Sequence, residues 1–189
     1  MGTRCGIETS GCVNFTNEAE GMVCRDAVAE DAVAIARVWV AAWQAAYAGL
    51  MPAKYLAGLD AEAALPAFER NLREGPSTLV LEQDSDIFGF SAYGASRDPG
   101  AAPETGEVIA INLHPSCWRR GLGRELLQET QQRLCGRGFS DATLWVLHGN
   151  ARARQFYEAQ GWRLDGVEKH DDTLTGFALH EVRYRIALT

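Results

Sequence analysis

The sequence predicts an α/β domain: a mixed, mostly antiparallel central sheet of about seven strands with helices on both faces. Three observations predict it. Short apolar runs bounded by Gly, Pro, Asp and Ser recur along the chain, as strands do. Longer stretches between them carry apolar residues at helical spacing. In the second half a strand-like run leads through a short polar turn into a helix-like run, and this happens twice.

Val23-Cys24-Arg25 reads as a short first strand. From Ala29 to about Tyr47, the residues Ala32, Ile35, Trp39, Ala42, Trp43 and Ala46 recur at helical spacing. Glu30 and Asp31 suit the first turn electrostatically, whereas Val28 is a poor N-cap. Gly49 and Pro52 close this helix. A short segment at Pro52–Leu59 precedes a helix near Ala61–Arg73, in which Pro66 argues for a late start or a bend. Thr78–Gln83 and Ile87–Tyr93 read as antiparallel strands joined at Asp84-Ser85-Asp86. A loop over Ser96–Gly106 leads to the strand Glu107–Leu113. A helix then runs to about Cys135, its buried stripe formed by Leu122, Leu126, Leu127, Thr130 and Leu134. Ala142–Leu147 is a buried strand. Asn150 is placed to cap the next helix, and Gly161 sits where a left-handed C-terminal residue belongs. Trp162–Glu168 and Glu181–Leu188 read as a closing hairpin.

Composition narrows the function. A chain of 189 residues, 47% hydrophobic, is long enough for one compact domain with a core. Its net charge of −7 disfavours nucleic acid as a partner. The five cysteines show neither C-x-x-C pairing nor a His partner at zinc spacing, so no metal site is expected. Free thiols point to a reducing, cytoplasmic setting, and no apolar run is long enough to span a bilayer. Residues 1–21, rich in polar and small types, read as a flexible extension, with residues 22–189 as the domain. Translation starting at Met22, or a structural arm, are the alternatives for that extension.

The most informative stretch is Arg119-Arg120-Gly121-Leu122-Gly123-Arg124. A strand that ends at a proline, then a basic glycine-bearing turn, then a helix, builds a cradle for an anion. The first helical amides lack internal partners, and the macrodipole favours negative charge there. The glycines let the main chain approach a phosphate. Neither the Rossmann nor the Walker pattern is met, since position 126 is Leu and no G-K-[ST] follows. The alternative is an ordinary strand-to-helix turn with surface arginines.

The strand Glu107-Val108-Ile109-Ala110-Ile111-Asn112-Leu113-His114-Pro115, the R-R-G-L-G turn, and Asn150-x-x-Ala153-Arg154-x-Phe156-Tyr157-Glu158-x-x-Gly161-Trp162 together resemble the GNAT superfamily of N-acetyltransferases. The resemblance covers about residues 22–187 and implies the fold above, with acetyl-CoA as co-substrate. It also implies transfer to a primary amine of a small molecule or protein, by direct attack within a ternary complex. A non-catalytic acyl-CoA sensor is the alternative, and a homodimer is compatible with either.

By the same resemblance Tyr157 is the acid that protonates the leaving thiolate; its other reading is a core aromatic beside Phe156. Glu107 is the candidate base, acting through water, and its other reading is a solvated residue after Gly106. Asp98 and Glu104 are substitutes, and His114 reads as structural. Main-chain groups of Ile111 and Leu113 would hold the pantetheine arm, with the Leu113 amide donating to the thioester oxygen. Amides of Arg119, Arg120, Gly121, Leu122, Gly123 and Arg124 would hold the pyrophosphate. Asn150 and Arg154 would contact the cofactor's far side, although Asn150 could equally be only a cap. Trp43 and Tyr47, with Tyr55, would line the acceptor groove or simply belong to the core stripe. The family commonly has Gln or Arg where this chain has Trp118, and often an aromatic residue where it has Cys117.

Overall fold

The computed structural model describes residues 21–173 and 175–189; the expected extension lies outside these, Gly21 excepted. The elements run β1 (Val23–Asp26), α1 (Ala32–Ala46), α2 (Ala53–Ala57), α3 (Ala61–Glu74), β2 (Ser77–Gln83), β3 (Asp86–Ala95) and β4 (Thr105–Leu113). They continue with α4 (Leu122–Gly136), β5 (Asp141–Leu147), α5 (Ala151–Ala159), β6 (Arg163–Asp171) and β7 (Leu179–Ala187). Two 3-10 turns, Ala29–Asp31 and Pro115–Cys117, lead into α1 and toward α4.

The strands form one sheet in the order β1-β2-β3-β4-β5-β7-β6. Every pairing is antiparallel except β4 with β5. That parallel pairing is short. It joins Thr105, Gly106 and Glu107 to Asp141, Ala142 and Thr143, and there the register ends. The cause lies in β4. Across the β3–β4 ladder Ala92 faces Ala110 and Tyr93 faces Val108, so Ile109 is an extra residue without a partner. A bulge of this kind bends its strand and adds twist. Past Glu107 the two central strands diverge, and the sheet opens into a fork.

The faces are covered unequally. α1 and α3 pack over Val80 and Phe90 through Ile35, Val38, Trp39, Phe68 and Leu72. α4 and α5 cover the opposite face with Leu122, Leu126, Leu127, Leu134, Phe156 and Tyr157, against Leu79, Tyr93, Leu144 and Tyr184. Met22 is 2% exposed and belongs to this second cluster, so the core reaches back to that residue.

Local chemistry explains the boundaries. Val28 has no side chain able to cap the helix start, and only the returning half of a capping box is made, by Asp31. Its Oδ2 accepts from the Val28 amide at 2.8 Å, and a 3-10 turn precedes the helix. The late start expected for α3 does not occur. Asp60 caps it by accepting from the Glu62 amide at 2.8 Å, and Pro66 lies inside the helix. Proline there removes the bond to the Glu62 carbonyl, but Glu62 is exposed and water can take that acceptor. The β2–β3 hairpin turns through Asp84 and Ser85 at φ 51° and 69°, the paired left-handed geometry of a two-residue type I′ turn. Among the described residues no helix is long and apolar enough to cross a membrane.

Candidate active site

The fork between β4 and β5 widens into a cleft of ≈ 1090 Å³. One wall is the diverging part of β4, Val108 to Leu113; the other is Trp145–Leu147 of β5 with Asn150, Ala153, Phe156 and Tyr157 of α5 and its cap. The turn before α4 closes one end, and α1 and α3 roof the other.

The alternation of the β3–β4 ladder decides which main-chain groups enter the cleft. The His114 amide donates to the Phe88 carbonyl at 2.7 Å, so His114, Asn112 and Ala110 point their main-chain groups at β3. Those of Ile111 and Leu113 point the other way, into the gap left by β5. The Leu113 carbonyl already has a partner, accepting from the Trp118 indole Nε1–H at 2.9 Å.

At the turn, Arg119 and Gly121 are both left-handed, with φ of 62° and 86°. Such alternation curls the chain so that successive amides converge on a concavity. The first internal bonds of α4 run from Arg124 and Glu125 to the Gly121 carbonyl, at 2.9 and 3.2 Å. The amides of Leu122 and Gly123 therefore precede the helical ladder. A Cβ on Gly123 would stand 3.5 Å from the Phe156 ring, so a larger side chain would press on α5 or fill the concavity. Arg119, Gly121, Gly123 and Arg124 line the cleft. Leu122 is fully buried, its side chain in the core, and Arg120 is exposed.

Tyr157 lines the cleft and is 8% exposed, packed against Phe156, Trp162 and Tyr184. Burial, then the nearby Tyr47 phenol, pushes its phenol well above the ordinary tyrosine range. It keeps its proton throughout neutral and mildly alkaline pH. Tyr47 is likewise raised, to about 12, by burial and by the Glu181 carboxylate. Trp43 and Tyr47 both line the cleft, 4.9 Å apart between ring centroids. Tyr55 instead stacks edge-on with Phe177 at 5.2 Å and is not among the lining residues.

Glu107 also lines the cleft and is 2% exposed. It is not a solvated residue. Oε2 accepts from the Arg97 amide at 2.8 Å and from Arg97 Nε at 3.1 Å, and Oε1 accepts from Arg97 Nη2 at 2.6 Å. A carboxylate offers about four lone-pair positions, so one on Oε1 remains. Asp98 is held by Trp145 Nε1 at 2.9 Å and by Arg183 Nη1 at 2.8 Å, and Glu104 is exposed; neither lines the cleft. His114 Nδ1 accepts from the Ser116 amide at 3.3 Å and caps the 3-10 turn, the structural role expected for it.

The two candidates on the second motif separate. Asn150 lines the cleft and also caps α5, its Oδ1 accepting from the Ala153 amide at 3.1 Å. Arg154 is turned away, donating to the Tyr184 hydroxyl at 3.1 Å and the His148 carbonyl at 3.2 Å. Helical phase explains the difference, because two residues turn a side chain by about 200°. Of the two arginines of α5, Arg152 is the one in the cleft, its guanidinium 3.7 Å above the centre of the Trp118 ring. Burial and Arg119 lower its pKa. Cys117, a departure in the sequence, is a buried core thiol at the base of the turn.

Sequence reasoning passed over Trp39, Phe68, Arg97, Trp145, Lys169 and Glu181, all lining residues. The last two were readable in principle. Lys169 pairs with Glu181 across β6–β7, and Glu181 precedes the buried alternation Val182 and Tyr184, so it faces the cleft.

Comparison with known proteins agrees with this geometry. An uncharacterized N-acetyltransferase of Bacillus subtilis, YuaI, is 30% identical over 158 residues, covering 84% of this chain and 88% of its own length. A GCN5-related N-acetyltransferase from Rhodopseudomonas palustris superposes with a TM-score of 0.71 at 19% identity, covering 95% of this chain and all of that one. YncA of Salmonella typhimurium, solved with its cofactor acetyl-CoA, gives a TM-score of 0.65 at 20% identity, covering 89% of this chain and 94% of its own. Residues 40–162, more than half the chain, match the acetyltransferase (GNAT) family. With the forked sheet and the glycine turn in that segment, the chain belongs to the acetyltransferase (GNAT) family, and acetyl transfer is its reaction class.

Proposed function

We propose that the protein is an acetyl-CoA-dependent N-acetyltransferase that moves an acetyl group to a primary amine by direct attack in a ternary complex. The observation that carries this is the fork itself. One continuous cleft joins a concave turn with outward amides, the unpaired edge of β4 and a protonated buried phenol.

The residues present fit the coenzyme. The left-handed Gly121 and the bare Gly123 leave space and donors for a diphosphate, with Arg119 and Arg124 beside them. The amides of Arg119, Arg120 and Leu122 belong to the same turn. Main-chain groups of Ile111 and Leu113 suit an amide-bearing arm laid along β4. When bound, acetyl-CoA supplies the acetyl group as a thioester.

The chain's own groups then do the following. The Leu113 N–H donates to the carbonyl oxygen as negative charge develops there. Tyr157 gives its proton to the departing sulfur, which it can do because burial keeps the phenol neutral. Glu107, held by Arg97, uses its remaining lone pair to order a water that relays the proton lost by the amine. Trp43 and Tyr47 flank the acceptor, and their ring faces suit an ammonium before deprotonation. Asn150 borders the coenzyme's side of the cleft.

The test is thiol release from acetyl-CoA across a panel of primary amines, with calorimetry of acetyl-CoA binding alongside. Amine-dependent thiol release supports the proposal. Binding without transfer to any amine supports a sensor instead.

A further inference from the structure

We propose that the acceptor is a primary amine on a compact, ring-bearing apolar body, rather than a polyamine or an amino sugar. This rests on the N-acetyltransferase reading above and names the substrate class of the same cleft.

The floor of the roofed end comes first. Thr78, Ala92 and Ala110 face one another directly across β2, β3 and β4, and all line the cleft. The next row on the same face is Val80, Phe90 and Asn112. Small side chains beside a larger row leave a depression in the sheet.

The walls are aromatic. Trp39 of α1 meets Phe68 of α3 edge-on at 5.8 Å, and Phe68 meets Phe90 of the floor at 6.0 Å. Trp39 and Trp43 lie 5.1 Å apart, and Trp43 leads on to Tyr47. The chain of rings thus runs from the depression to the phenol next to Tyr157. Edge-on and tilted arrangements leave ring faces able to receive another ring.

Charge is scarce at this end. α1 and α3 present no charged side chain to the cleft. Among the described residues the cleft's carboxylates are Glu107, Asp171 and Glu181. Glu107 is matched by Arg97, while Asp171 and Glu181 share Lys169, at 3.7 and 3.3 Å. With Arg119, Arg124 and Arg152 at the glycine-turn end, these groups leave an excess of a single negative charge at the acceptor end, close to Tyr47, which the Glu181 field reaches. One ammonium is matched there. The further ammonium groups of a polyamine find no second unmatched carboxylate, and the many hydroxyls of an amino sugar would meet rings and alanines with only Asn71, Thr78 and Asn112 as hydrogen-bonding side chains, so most of them would lose hydration without a partner.

The experiment compares phenethylamine, spermidine, kanamycin and an Ala-initiated tetrapeptide as acceptors, at saturating acetyl-CoA. The expected order puts phenethylamine first, with kcat/KM about tenfold or more above the others. Phe68→Ala and Ala110→Val are expected to raise KM for phenethylamine about tenfold while leaving KM for acetyl-CoA in place. Calorimetry of phenethylamine binding to the coenzyme A complex reads the same loss without turnover. Preference for spermidine, kanamycin or the peptide, or no acetylation of phenethylamine, overturns the proposal; acetyl-CoA binding in that case leaves the acetyltransferase reading standing. Failure of the wild-type protein to bind acetyl-CoA overturns both.

Discussion

The indole N–H of Trp118 donates to the main-chain carbonyl of Leu113 at 2.9 Å, tying the glycine turn to the open edge of β4. Where the resemblance leads to an expectation of Gln or Arg, this side chain fixes the shape of the cleft. Trp118 also gives Arg152 a ring to lie on. Trp118→Phe keeps the ring and deletes the donor. A lost hydrogen bond of about 1 kcal/mol corresponds to roughly a fivefold rise in KM for acetyl-CoA. Steady-state kinetics at fixed amine reads it, and an unchanged KM would show that the tie is dispensable.

Tyr157→Phe removes one oxygen from a packed ring and little else. Turnover is expected to fall about 10²–10⁴-fold, with acetyl-CoA affinity nearly constant. Kinetics paired with calorimetry separates the two quantities. A variant with normal turnover would exclude the phenol as the acid.

Much of this arrangement is legible in the sequence, and the reasons for the remainder are physical. α4 and α5 carry strong helical periodicity, and Asn150 and Gly161 mark the ends of α5 by their side chain and lack of one, so both helices fall where expected. The bulge at Ile109 is not legible, because a bulge exists only relative to the partner strand's register. Yet it opens the fork. The cap of α1 misleads for a related reason: Asp31 reaches back to Val28 from inside the segment. Arg152 and Arg154 differ only in helical phase, which a motif match does not weigh. Arg97 and Glu107 are ten residues apart in a loop and a strand, a spacing with no periodic signature.

Arg97 carries its own prediction. Its side chain is 62% exposed, while that of Glu107, whose carboxylate it neutralises, is 2% exposed. Arg97→Ala leaves Glu107 buried with its charge unmatched. Stability is expected to fall by roughly 1–3 kcal/mol, and Glu107→Gln in the same chain should restore part of it. Urea unfolding of the single and double variants measures both effects. Additive losses would mean the pair is not coupled.

Tyr47 predicts an alkaline limit. Its phenol is raised from the ordinary value of about 10 to about 12 by burial and Glu181. The folded state therefore holds this proton more tightly than the unfolded chain. The associated stability is complete below pH ~10 and is lost as pH rises through about 12. Tyr47→Phe should flatten the fall of stability across that window, followed by urea midpoints at stepped pH. An equally steep fall would place the titration elsewhere.

The most direct measurement is calorimetric titration of coenzyme A into the wild-type protein and into Gly123→Asp. The substitution sets a carboxylate and a side chain at the mouth of α4, in the concavity assigned to the diphosphate, beside Phe156. Binding to the wild type with a loss of tenfold or more in the variant (about 1.4 kcal/mol) is the expected result. Equal affinity in the two proteins, with both folded by circular dichroism, would contradict the assignment of that turn to the coenzyme.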